Sequence, residues 1–217
     1  MEIRFFSLIL VLSIIACSNE GKRNFKNNQV IDDEFTSFLN SFNQKELPFK
    51  VVPKLDDEFS NERLMNRELA KQYICTNNED CLMQPTGGYY NFYYSNIYDI
   101  DESFILISYY RVYSEGVDYI LTTFNKSGKI IDDLIVGGQV DEGLQIESLI
   151  KEDLNIVIKL LHYTPDITES NFVEVTKVEK TYDINDDGKF MFINRIGFKE
   201  EMYFFDENES FRLKPLN

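Results

Sequence analysis

Apolar residues recur along this chain at two periods, and the change from one to the other divides it. Over residues 32–43, Phe35, Phe38, Leu39 and Phe42 fall at i, i+3, i+4 and i+7, which is one face of a helix. Asp32 or Asp33 offers an N-cap oxygen, and Pro48 stands beyond the end. Over residues 61–73, Met65, Leu69 and Tyr73 recur at intervals of four, joined by Leu64, and predict a second helix. From Gly88 onward the period shortens to near two, and β-branched and aromatic residues dominate between short polar breaks. That pattern predicts about ten strands, at roughly 89–98, 104–113, 118–125, 129–136, 144–151, 154–163, 172–183, 189–196, 202–206 and 210–214. Most connections are short enough to join antiparallel neighbours. The expected fold is therefore mainly β (α+β), an antiparallel meander preceded by two helices and arranged as a barrel, a sandwich or a curled sheet.

Two of the breaks share the phrase Asn-x-x-Gly-Lys: Asn125-Lys-Ser-Gly128-Lys129 and Asn185-Asp-Asp-Gly188-Lys189. Glycine there supplies the positive φ that tight hairpins need. The second phrase also opens like a calcium-binding loop, with Asp183, Asn185 and Asp187 as oxygen ligands before Gly188. Position 12, where that motif places a bidentate Glu, is Asn194, and the flanks read as strands rather than helices. Turn geometry alone accounts for the residues, so no metal or other cofactor is expected.

The amino terminus carries a different signal. Residues 5–16 form an apolar run 12 residues long, whereas a spanning helix needs about 20. The length matches the middle of a secretory signal. Ala16 is the small residue expected at its end, although Glu2 partly offsets the positive charge of Arg4. The run closes on Ile14-Ile15-Ala16-Cys17 before polar Ser-Asn-Glu, and this resembles a bacterial lipobox. The resemblance implies that the Cys17 thiol is acylated, residues 1–16 are removed, and the new amino terminus is acylated as well. A plain secretion signal ahead of a cysteine is the competing reading. Two acyl chains anchor stably where one is marginal, at about 0.8 kcal/mol per buried methylene. Residues 17–29 then read as a flexible tether, and 30–217 as a single β-rich domain.

With 37 acids against 22 bases the net charge is −15, a field that repels phosphate backbones, and no basic stripe stands against it. Nucleic acid is not an expected partner. Of the three cysteines, lipid uses Cys17, which leaves Cys75 and Cys81 as a pair in an oxidising envelope compartment. A disulfide is expected. Two free thiols or half a metal site are the alternatives, the latter wanting further ligands where the chain has one histidine, His162.

Catalytic patterns are sparse. No nucleophile elbow, paired-histidine zinc helix or phosphate-binding glycine loop occurs. His162, on one strand face with Leu154, Ile156, Ile158 and Leu160 and near the end before Pro165, reads as a hydrogen-bonded core or rim histidine rather than a catalytic base, for which no partners are visible. The densest aromatic groups are Gly87-Gly-Tyr-Tyr-Asn-Phe-Tyr-Tyr94 and Tyr109-Tyr-Arg-Val-Tyr113. If Tyr93, Tyr109, Arg111 and Tyr113 face outward, they form a ligand surface for a glycan, peptide or protein. The competing reading packs them between sheet and helices.

The helix phrase Phe35-Thr-Ser-Phe-Leu-Asn-Ser-Phe42 with Leu47-Pro-Phe49, and Leu121-Thr-Thr-Phe-Asn-Lys-Ser-Gly-Lys-Ile-Ile-Asp-Asp-Leu134 with Gly137-Gly138, resemble uncharacterised envelope lipoproteins of the Bacteroidota. That resemblance implies an outer-membrane lipoprotein, held to the membrane through its lipid, and transfers no catalytic residue. The function expected is a lipid-anchored binding or interaction module. Two alternatives of other classes are a hydrolase using paired acids on envelope glycans, and an immunity-type lipoprotein whose charge speeds capture of a basic toxin.

Overall fold

The computed structural model of the chain describes residues 33–52, 59–75, 79–84, 87–100, 102–114, 116–140, 143–165, 172–197, 201–204 and 214–215. The lipobox, Cys17 and the tether lie outside the described residues. Among the described residues, no helix is long and apolar enough to cross a membrane.

Helix α1, Asp33–Leu39, places Asp33 and Glu34 in its first turn, where acids suit the positive end of the backbone dipole, and buries Phe35, Phe38 and Leu39. Its last turn tightens through Ser41 N to Phe38 O and Phe42 N to Leu39 O, so the chain leaves the helix earlier than the apolar pattern suggests. Strand β1, Asn43–Lys45, follows at once, and β2 is Phe49–Val51.

The second expected helix is broken. A 3-10 turn covers Asn61–Arg63; then Asn66 caps helix α2, Arg67–Leu69, its side-chain oxygen accepting from Glu68 N at 2.8 Å. The helix widens into a π turn over Ala70–Ile74, closed by Cys75 N donating to Ala70 O. Met65, Ala70, Tyr73 and Ile74 are buried all the same.

The expected meander is present as β3 (Asn91–Tyr98), β4 (Ile105–Tyr113), β5 (Gly116–Phe124), β6 (Ile130–Val140), β7 (Leu144–Ile150), β8 (Ile156–Pro165), β9 (Phe172–Ile184), β10 (Phe190–Gly197), β11 (Glu201–Phe204) and β12 (Lys214–Pro215). All pairings are antiparallel except β1 on β3. The pairing order β1-β3-β4-β5-β6-β7-β8-β9-β11-β12 has two ends, so the sheet is open and not a closed barrel.

The sheet folds on itself where β6 leaves β7. Only Gly138, Gln139 and Val140 pair with β7, while β2 pairs with the far end of β7, Val51 lying opposite Ser148. Gly137 and Gly138 permit this: a Cβ on Gly137 would strike Val51, and Gly138 holds φ at 147°. Strands β3–β6 thus form one leaf and β7–β9 another.

Alternation along β4 and β5 then feeds two cores. Ile107, Tyr109, Ile120 and Phe124 meet α1 and the π turn, where Phe35, Phe38 and Tyr73 pack with ring centroids 4.6–5.5 Å from neighbours. Leu106, Tyr119 and Leu121 meet Ile150, Ile156, Ile158 and Ile184 across the fold. Strand β5 is therefore buried on both faces. At one end the leaves are tied by Thr123 Oγ1 donating to Gly188 O at 2.6 Å and Phe190 N to Asp132 Oδ2 at 3.0 Å.

Candidate functional site

The cysteine pair organises the surface beyond α1. Cys75 and Cys81 form a disulfide with Cα atoms 5.5 Å apart, joining the end of the π turn to a 3-10 turn over Glu79–Leu82. Residues 82–84 and 87–90 then run side by side: Tyr90 N donates to Leu82 O, Gln84 N to Gly88 O, and Met83 bridges Tyr89. Gln84 locks this ribbon, its Nε2 donating to Tyr89 O at 2.8 Å and its Oε1 accepting from Ser114 Oγ at 3.1 Å.

Between α2 and the ribbon lies an open groove of about 340 Å³ lined by Arg67, Glu68, Lys71, Leu82, Met83 and Tyr89. Leu82 is buried beneath it, whereas Met83 and Tyr89 are 49% and 51% exposed. The Arg67 guanidinium carbon stands 3.5 Å from the Tyr89 ring centroid. A hydrogen bond with Arg67, and then its charge, lower the Tyr89 phenol from its ordinary value. The groove therefore combines an aromatic-backed cation, a second base one turn along, a polarised hydroxyl and an adaptable apolar floor.

The four residues marked out by the aromatic pattern do not share a face. Tyr93 is half-buried against Phe59, with ring centroids 4.9 Å apart. Tyr109 is 5% exposed inside the first core, and burial pushes its phenol well up. Arg111 donates to Asp118 Oδ2 through Nε at 3.0 Å and Nη2 at 2.6 Å, with the two side chains 28% and 6% exposed. Tyr113 donates to Asp118 Oδ1 at 3.5 Å, and burial followed by that carboxylate pushes it up to about 12. Arg111 and Tyr113 thus hold a buried acid, and only their rims meet solvent.

Asn185 Oδ1 accepts from Lys189 N at 2.8 Å, as Asn125 Oδ1 accepts from Lys129 N at 3.0 Å. Both hairpins use the asparagine oxygen to close the turn, and Asp183 Oδ1 accepts from Ile184 N. Among the described residues, no three His, Cys, Asp or Glu groups converge as metal ligands. His162 is exposed on β8. Strand β10 presents Met191, Phe192, Ile193 and Ile196 to solvent, a second exposed feature, with Asn194 and Arg195 exposed among them.

Arg67, Lys71 and Met83 were not marked by periodicity or motif. Their signal is slight: two bases four residues apart, immediately before the first paired cysteine of an acidic chain. No family model matches this chain, and no curated protein or solved structure matches it either.

Proposed function

We propose that this chain is a lipid-anchored binding protein of the cell envelope, which holds its ligand in the groove between α2 and the ribbon of Met83 and Tyr89. The observation that carries the reading is Arg67 stacked 3.5 Å from the exposed Tyr89 ring, beside an exposed Met83. Contiguous exposed apolar surface rimmed by polar groups recurs where something docks, and here Met83 and Tyr89 share one groove with Arg67, Glu68 and Lys71. An arginine pre-ordered on an aromatic ring loses little freedom when a ligand arrives. The disulfide supports the compartment, since such bonds persist in oxidising surroundings. The lipobox-like ending at Cys17 supports the anchor, and the resemblance to Bacteroidota envelope lipoproteins supports the outer membrane as its site.

Two measurements test the reading. Cys17→Ala should move the protein from the membrane to the soluble fraction, and continued membrane association removes the anchor. Arg67→Glu should abolish ligand capture from envelope extracts while leaving the melting temperature unchanged; full capture by that variant removes the groove.

A further inference from the structure

The groove has a chemistry that narrows its ligand, and the inference drawn from it rests on the binding reading above. At 3.5 Å from the ring centroid, the Arg67 guanidinium lies over Tyr89, so its N–H groups project sideways, free of the ring face. A planar fork held this way matches the two oxygens of a carboxylate. Lys71 lines the same groove and adds a second positive charge. Glu68 lines it too, which penalises a ligand carrying several adjacent negative charges. With Glu68 the three charges sum to one positive, which suits one carboxylate better than a polyanion.

What lies beside the carboxylate follows from the floor. Leu82 is buried and Met83 is exposed above it, an unbranched thioether side chain that adapts to apolar groups of varied shape. A sugar ring would stack on an open aromatic face, and Arg67 leaves Tyr89 only its other face for that. We propose that the groove binds a peptide through one carboxylate, gripped by Arg67 beside the positive charge of Lys71, while the adjacent aliphatic side chain lies on Met83 and Leu82.

The test titrates the full chain with N-acetyl-leucine, N-acetyl-leucinamide and glucuronate, following the NMR signals of the Arg67 Nε–H and the Tyr89 ring. N-acetyl-leucine should shift both signals to saturation; the amide should bind about tenfold more weakly, the scale of one lost charge-assisted pair, and the sugar acid about tenfold more weakly for want of the aliphatic contact. Arg67→Gln should abolish the shift of the Tyr89 ring. An equal response to the amide would show that the carboxylate is not read. An equal or stronger response to glucuronate would assign the groove to acidic sugars, and silence toward all three overturns the proposal. Should Arg67→Glu still lose envelope capture while all three probes are silent, the groove stands as a binding site and only the ligand class fails.

Discussion

Leu154 offers a sharp test of the turn geometry that joins β7 to β8. Three loops share one pattern: Asn125 N to Lys129 O with Gly128 N to Asn125 O, Lys151 N to Asn155 O with Leu154 N to Lys151 O, and Asn185 N to Lys189 O with Gly188 N to Asn185 O. Their fourth residues have φ of 80°, 61° and 82°, yet the middle one is leucine. A side chain in that conformation costs about 1–2 kcal/mol, which the burial of Leu154 to 8% exposure offsets. Leu154→Ala removes the burial and keeps the strain, so it should destabilise by about 3 kcal/mol. Leu154→Gly loses the same burial but releases the strain; set against glycine's extra freedom in the unfolded chain, it should be about 0.5–1 kcal/mol more stable than the alanine variant. At ordinary negative φ that order is reversed. Urea unfolding of the full chain and both variants decides it, and an alanine variant as stable as or more stable than the glycine variant refutes the reasoning.

Arg63 pins α1, β1 and β3 together: it donates to Tyr94 O at 3.0 Å, Ser95 O at 2.9 Å, Ser41 O at 3.2 Å and Asn43 Oδ1 at 3.2 Å. Arg63→Ala should therefore cost about 3 kcal/mol in urea unfolding, with Arg63→Lys recovering little of it, because an ammonium cannot reach the same spread of acceptors. Replacing Cys75 and Cys81 together by Ser should cost about 2 kcal/mol, the loop-closure value for so short a segment, and should weaken ligand binding further by loosening the Met83 ribbon. Alkaline stability should fall early. The Tyr113 phenol is pushed up to about 12 and those of Tyr98 and Tyr109 are raised, by burial first. The unfolded chain then loses these protons at lower pH than the folded one, so stability declines as pH rises from about 10 toward 12. A flat melting temperature across that window contradicts the burial of these phenols.

The meander was legible because each strand carries its own evidence: alternation on the surface, β-branched density inside, and asparagine–glycine turns that fix the hairpins. Strands β1 and β2 were not, since Asn43-Gln-Lys45 is exposed throughout and its pairing with β3 comes from the tertiary fold rather than from local pattern. The break between 61 and 74 was hidden for a related reason. The buried residues keep helical spacing while Asn66 restarts the backbone beneath them. Strand β8 starts two residues later than the apolar run, because Leu154 continues that run but occupies the turn. The aromatic clusters drew attention to Tyr109 and Arg111, whose chemistry is consumed within the fold by burial and by Asp118. The groove is assembled from residues 67–89 by a disulfide and a ribbon, and sequence spacing carries no image of a cation lying over a ring 22 positions away.

A photo-crosslinking residue at position 83, compared in producing cells with one at exposed position 159 on β8, probes the groove where it operates. A ligand adduct that forms at 83, fails to form at 159 and disappears with Arg67→Glu is the predicted result. Equal adducts at both positions, or an adduct at 83 that survives Arg67→Glu, would contradict it.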